Sequence, residues 1–184
     1  SLEEDRQLLN IQEEYHPKMI DHIHFSGKEV ISAYWFDGSK SFLIYRFSPS
    51  QSPADTSDSN GFLHSIGHYW EWASLYCCGS RNSAGKVMGL AAFGNDPDSY
   101  EKDLLTINEY GEIHLDFCQI NQLYKEFNIF SLDLSNSKHH QDLARKVQIE
   151  TENVILKLLD ILKRKYPSNT LYLSGGVALN VVAN

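Results

Sequence analysis

Cysteine is scarce. The 184 residues hold three, at Cys77, Cys78 and Cys118. An odd number with two adjacent members is no disulfide framework, and no CxxC pair offers a zinc site. The expectation is a reducing, cytoplasmic setting with small buried thiols. Long apolar runs are also missing: none approaches the roughly 20 residues of a membrane span. The opening stretch SLEEDRQLLN has no basic run ahead of an apolar one. Positive charge is in deficit, with 16 Lys+Arg against 24 Asp+Glu and a net charge of −8. Nucleic acid and anionic membrane would meet like charge, so neither is an expected partner. GxxxxGK[ST] and HExxH are both absent.

What remains is ordinary for a globular α/β chain, and periodicity places its elements. An acidic helix is expected over 2–14. Residues 29–37 (EVISAYWFD) and SFLIYRF read as two strands of a hairpin, turned at Asp37-Gly38. A polar surface loop over 48–60 follows. Leu63, Ile66, Trp70 and Ala73 recur at helical spacing over 62–77, and Gly79-Ser80 stops that helix. GKVMGLAAFG reads as a short helix flanked by glycines, and 104–117 as a second hairpin with Tyr110-Gly111 near its turn. The longest helix is expected over about 138–165. Its stripe is Leu143, Val147, Glu150, Val154, Leu158 and Ile161, in which only Glu150 is polar. Pro167 and Ser168 end it. Residues 171–173 read as a short buried strand, Ser174-Gly175-Gly176 as a strand-to-helix turn, and VALNVVAN as the opening of a helix. A chain stopping there is read as a fragment of a longer one.

Three segments could carry chemistry. At Gly175-Gly176, backbone without Cβ atoms can approach a ligand closely, and the following helix start presents N–H groups that suit a phosphate. Asn180, about one turn later, could hydrogen-bond a base or ribose. Tight packing of helix on strand would explain the same glycines. In Ala84–Ala91, Lys86 could set a point charge on a phosphate oxygen, although a solvated lysine is the plainer reading. Asp37-Gly38 could orient a reacting group at a strand end, or serve only the dihedrals of a type I′ turn. His64 and His68 have the spacing of a helical metal pair, yet surface or capping roles explain two such histidines as well. His139-His140 are expected to be solvated.

SIGHYWEWASLYCCGSRNSAGKVMGLAAFG resembles SLGxFYxxxTxxLG…GKVMGLAPYG of the nodulation-protein-U, cephamycin and tobramycin O-carbamoyltransferase family. LYLSGGVALNVVAN resembles that family's LxLAGGVALNxxAN, HHQDLARKVQIETENVILKLLDIL its DLAaSVQxxLE helix, and AYWFDGSK its strand ending in DGxGE. The resemblance implies part of an actin/hexokinase-like (ribonuclease H-like) amino-terminal domain. It also implies an activity: ATP and carbamoyl phosphate give carbamoyl-adenylate, whose carbamoyl group passes to a small-molecule hydroxyl acceptor. Mapped by motif, Gly175, Gly176 and Asn180 would bind the nucleotide, Asp37 and Gly38 would face its phosphate, and Lys86 and Gly89 would lie near the cleft. Lys86 and Asp37 are then the expected catalytic residues.

The family also holds iron or a related metal, through an upstream HxxxH and a late Asp. Those ligands are not evident in this chain: His16, His22 and His24 have the wrong spacing, and no metal residues are assigned. DGxGE reads here as Asp37-Gly38-Ser39-Lys40-Ser41, without its Glu. Two rival readings follow, a nucleotide-sensing module that has lost catalysis and a kinase of the same fold superclass. The GKVMGLA segment argues against the kinase, because phosphotransfer has no use for it.

Overall fold

The structure is a computed structural model that describes residues 14–15, 31–48, 64–95, 102–126 and 137–183. The chain forms two compact units, residues 1–50 and 51–184.

In the first unit, β1 (Glu14–Tyr15) pairs in parallel with β3 (Ser41–Phe47), which pairs antiparallel with β2 (Ile31–Phe36). The β2–β3 hairpin is as the alternation predicts. Its turn is shifted by one residue: Asp37 donates its N–H to the Lys40 carbonyl at 3.2 Å, so Gly38 and Ser39 are the central pair. Gly38, at φ 98°, takes the position that needs a left-handed residue. Asp37 acts through its side chain, whose Oδ1 accepts from Ser39 N, Ser39 Oγ and Lys40 N at 2.8–2.9 Å. The Lys40 and then the Ser39 N–H hold its carboxyl below the usual range. The stabilisation from this lowered value is complete above the unfolded carboxyl range and is lost as pH falls through the folded one. Between Ala33 and Tyr34 the register slips by one residue on β3, a bulge at Ile44, and Leu43 to Arg46 around it are all buried. Of the helix expected over 2–14, only Glu14 is described, and it lies in β1. The loop expected over 48–60 lies outside the described residues beyond Ser48.

The second unit is built on its longest helix. α1 (Ile66–Cys78) begins at Ser65, whose extended backbone and Oγ, accepting from His68 N at 3.1 Å, form an N-cap. That cap sets the start four residues later than periodicity suggests. Gly79 stops α1 in the left-handed conformation, its N–H returned to Leu75 O. α2 (Ala84–Ala91) follows, then an antiparallel hairpin of β4 (Leu105–Ile107) and β5 (Ile113–Leu115). Asn108 Oδ1 accepts from Tyr110 N and Glu112 N across the turn, and Gly111 takes φ 92°. α3 (Phe117–Glu126) is an element the periodicity did not reveal. Its signal is local: Asp116 Oδ1 caps Gln119 N at 3.0 Å, an Asp followed three residues later by Gln. α4 (Ser137–Lys165) carries Leu143, Val147, Val154, Leu158 and Ile161 into the core. They pack with Tyr69, Trp72 and Ala73 of α1, Val87 and Ala91 of α2, and the inward side of the hairpin. Lys163, Arg164 and Lys165 in its last turn complement the negative helix end.

Two expectations at the end of the chain are corrected. Residues 171–173 form no strand and are exposed, Tyr172 by 90%, because no described strand lies beside them to share backbone hydrogen bonds. The helix expected after Gly176 is a single 3-10 turn, Gly176–Leu179. The thiols also differ in part from expectation: Cys77 is buried, Cys78 half-buried and Cys118 exposed, all free. Burial pushes the Cys77 thiol up to about 12, so it stays protonated and unreactive near neutral pH.

Candidate functional site

The glycine corner at 174–180 starts from an unusual backbone. Gly175 sits at φ 98°, ψ 179°, a region essentially closed to residues with a Cβ. Gly176 has no such dihedral, and a Cβ on either glycine would meet no other atom within 4 Å. Tight packing of helix on strand therefore does not explain Gly176: its bare backbone faces open space. Gly175→Ala is expected to cost about 1–3 kcal/mol of local strain. The readout is faster amide exchange at Ala178 and Asn180, whose N–H groups close the corner onto Gly175 O and Val177 O.

Asn180 lies at the inner end of the corner and is buried. Its Nδ2 donates to Gln148 Oε1 on α4 at 2.9 Å, and Gln148 Nε2 returns a bond to Asn180 Oδ1 at 3.3 Å. The same Oδ1 accepts from Val182 N and Ala183 N, each at 3.2 Å. The amide assigned to a base or ribose is thus turned into the fold, where it ties the corner to α4. Periodicity gave Gln148 no role, although it stands at the Q, and Glu152 at the E, of the DLAaSVQxxLE helix that this stretch resembles.

Lys86 and Gly89 sit on α2, both exposed. Among the described residues Lys86 makes no ion pair, and its charge acts on the neighbouring Cys78, whose thiol burial raises and Lys86 partly lowers. The motif's glycines have separate causes. A Cβ on Gly94 would collide with the Gln141 carbonyl oxygen and lie 2.5 Å from Arg145 Cβ, so Gly94 lets the chain after α2 lie against α4. A Cβ on Gly85 or Gly89 would meet nothing within 4 Å. Opposite signs are expected in urea unfolding. Gly94→Ala should lose about 1–3 kcal/mol to overpacking, and Gly89→Ala should gain about 0.5–1 kcal/mol in helix propensity.

Beneath this surface lies a buried polar hub on Glu150. Its carboxylate accepts from Tyr69 Oη at 2.6 Å, Leu104 N at 3.0 Å and Leu105 N at 3.1 Å, and pairs with Lys146 Nζ at 2.9 Å. It joins α4, α1 and the start of β4, and is the reason a carboxylate stands in an otherwise apolar stripe.

The histidines do not assemble as their spacing suggests. His64 precedes the N-cap of α1, so it shares no helical face with His68. Its Nδ1 accepts from Leu115 N at 2.9 Å, and its ring stacks on His114. His68 lies 3.8 Å from Glu71. His139, expected to be solvated, is half-buried with Nε2 at 2.9 Å from Tyr76 Oη. Burial first, and His140 second, lower its pKa. Among the described residues no group of three His, Cys, Asp or Glu could hold a metal ion. His16, His22 and His24 lie outside the described residues. Among the described residues no helix is long and apolar enough to cross a membrane. The corner, Lys86 and Gly89 lie in the second unit, whereas Asp37 and Gly38 belong to the first.

Comparison with known proteins defines the class. Residues 7–184 match the family described as carbamoyltransferase N-terminus. The chain belongs to that family. A relative in Synechocystis sp., the uncharacterized protein sll1178, is 31% identical over 139 residues, 67% of this chain. The matched stretch is 22% of that relative's length, so the chain spans about a fifth of the curated relative it matches.

Proposed function

We propose that the chain is part of an ATP-dependent O-carbamoyltransferase, which moves the carbamoyl group of carbamoyl-adenylate onto the hydroxyl of a small molecule. The observation that carries the reading is the family match across residues 7–184. In the reaction, the acceptor oxygen attacks the carbamoyl carbon. Its bond to the phosphate oxygen breaks, AMP leaves, and the hydroxyl proton is lost to a base. Charge grows on the carbonyl oxygen and the departing phosphate, so fixed donors and a cation at those atoms lower the barrier, typically by about 3 kcal/mol for one donor.

The backbone of Gly175 and Gly176 suits the nucleotide, since at Gly176 nothing within the unit requires the missing Cβ. Lys86 is the candidate cation for the carbonyl or phosphate oxygen, and Gly89, one turn along α2, leaves space beside it. Asn180 contributes by holding the corner in place. Asp37 and Gly38 are proposed to face a phosphate, as the resemblance implies.

The test uses the full-length protein with carbamoyl phosphate, ATP and a panel of hydroxyl compounds. AMP release that depends on an acceptor is expected. Its absence with every acceptor would overturn the reading. A second reading, a nucleotide-sensing module without catalysis, is favoured by one feature: Asp37-Gly38-Ser39-Lys40-Ser41 lacks the glutamate of the motif it resembles. ATP binding without turnover in the same assay would select it.

A further inference from the structure

We infer that Gln148 is a positioning residue for the glycine corner: it sets nucleotide affinity through Asn180 without touching the nucleotide. The inference rests on the proposed nucleotide role of Gly175 and Gly176.

Gln148 is 1% exposed, midway along α4, with no apolar reason to be there. All of its conventional hydrogen-bonding directions but one lone pair are spent on two side chains. One N–H goes to Glu152 Oε1 at 2.6 Å, and the other to Asn180 Oδ1 at 3.3 Å. Its carbonyl oxygen accepts from Asn180 Nδ2 at 2.9 Å. The Glu152 bond matters for direction. An isolated amide can flip its oxygen and nitrogen, but a carboxylate accepts only from the nitrogen, so Glu152 fixes which way the Gln148 amide points. That orientation in turn fixes the Asn180 amide, leaving its oxygen toward the backbone N–H groups of Val182 and Ala183.

The relay runs from the middle of α4 to a segment that is largely exposed on both sides of Asn180. On one side of Asn180 lie residues 171–176, all exposed, and on the other the exposed Val181 and Val182. The corner's own hydrogen bonds are short-range: Ala178 to Gly175, Asn180 to Val177 and Ala183 to Asn180. They shape the turn, which also packs against α1. The amide pair supplies the polar attachment to α4 and so sets where the bare backbone of Gly175 and Gly176 stands. A ligand bound through backbone groups is sensitive to such placement, because the groups cannot re-aim themselves as a long side chain can.

The test compares wild type, Gln148→Leu and Gln148→Glu in the full-length protein. ATP affinity is read by calorimetry, corner order by amide exchange at Val182 and Ala183, and global stability by urea unfolding. Leucine keeps the bulk and removes the amide. Glutamate keeps the shape and sets a carboxylate oxygen against both Glu152 and Asn180 Oδ1. Leucine removes both paired bonds, and glutamate keeps the bond from Asn180 Nδ2 but turns the one to Asn180 Oδ1 into a repulsive oxygen–oxygen contact; about tenfold weaker ATP binding is expected in each folded variant, with faster exchange at the two amides. If leucine unfolds the protein, the glutamate variant decides. Wild-type ATP affinity in a folded variant would overturn the inference while leaving the nucleotide site intact, as would unchanged exchange at Val182 and Ala183. Failure of the wild-type protein to bind ATP would instead sink the nucleotide reading itself, and the positioning role with it.

Discussion

Glu150→Ala is expected to destabilise the second unit by about 3–5 kcal/mol, the usual cost of removing one partner of a buried ion pair. The carboxylate serves four donors at once: Lys146 Nζ, Tyr69 Oη and the N–H groups of Leu104 and Leu105. Without it, Lys146 loses its 2.9 Å partner, and the approach to the exposed Asp103 is longer, at 3.8 Å. The Leu104 and Leu105 N–H groups lose their acceptor in a buried place, where water is a poor substitute. Glu150→Gln preserves the volume and one acceptor oxygen, so a smaller loss is expected. The measurement is the free energy of urea unfolding for both variants. A loss below about 1 kcal/mol for alanine would show that the hub contributes no more than a surface ion pair.

Gly176→Val has the opposite character, a loss of ligand binding with the fold kept. Gly176 does not occupy the left-handed region, and a Cβ there meets nothing within 4 Å. The first carbon of a new side chain therefore meets nothing in the unliganded chain. A branched side chain does fill the space above the backbone that an adenine nucleotide would need. ATP affinity should fall by roughly a hundredfold or more, about 2.8 kcal/mol, while the urea midpoint stays near that of wild type. The reading fails if the variant folds and binds ATP normally. Gly175→Ala separates the two kinds of glycine in this corner, because its cost arises from backbone strain and is present without ligand.

Much of the second unit was legible in the sequence because its signals are local or periodic. The stripe from Leu143 to Ile161 and the glycine stop at Gly79 depend on spacing and on one residue's dihedrals, and both stand as read. The polar member of that stripe, Glu150, marked the hub, though not its partners. Those come from Tyr69 and Leu104, 81 and 46 residues away in the chain. Features that depend on a neighbour from elsewhere were not legible. Residues 171–173 have strand-forming side chains, but a strand exists only beside another. Asn180 has the right type and position for a ligand contact, yet the fold supplies Gln148 as its partner. The spacing of His64 and His68 promised a shared face only if the helix began early, and Ser65 starts it too late. Gly94 lay in the same motif as Gly89, and only the approach of Gln141 tells the two apart.

The hub also constrains the order of assembly. Joining Tyr69 and Leu104 to Glu150 closes long stretches of chain, and the entropy of closure is lost before the bonds return anything. The α4 helix and the β4–β5 hairpin can each form early from nearby contacts, whereas the carboxylate finds its full set of donors only once both have docked on α1. Interactions completed so late act mainly as a brake on opening. A weakened hub would therefore shorten the lifetime of the native state far more than it would slow its formation.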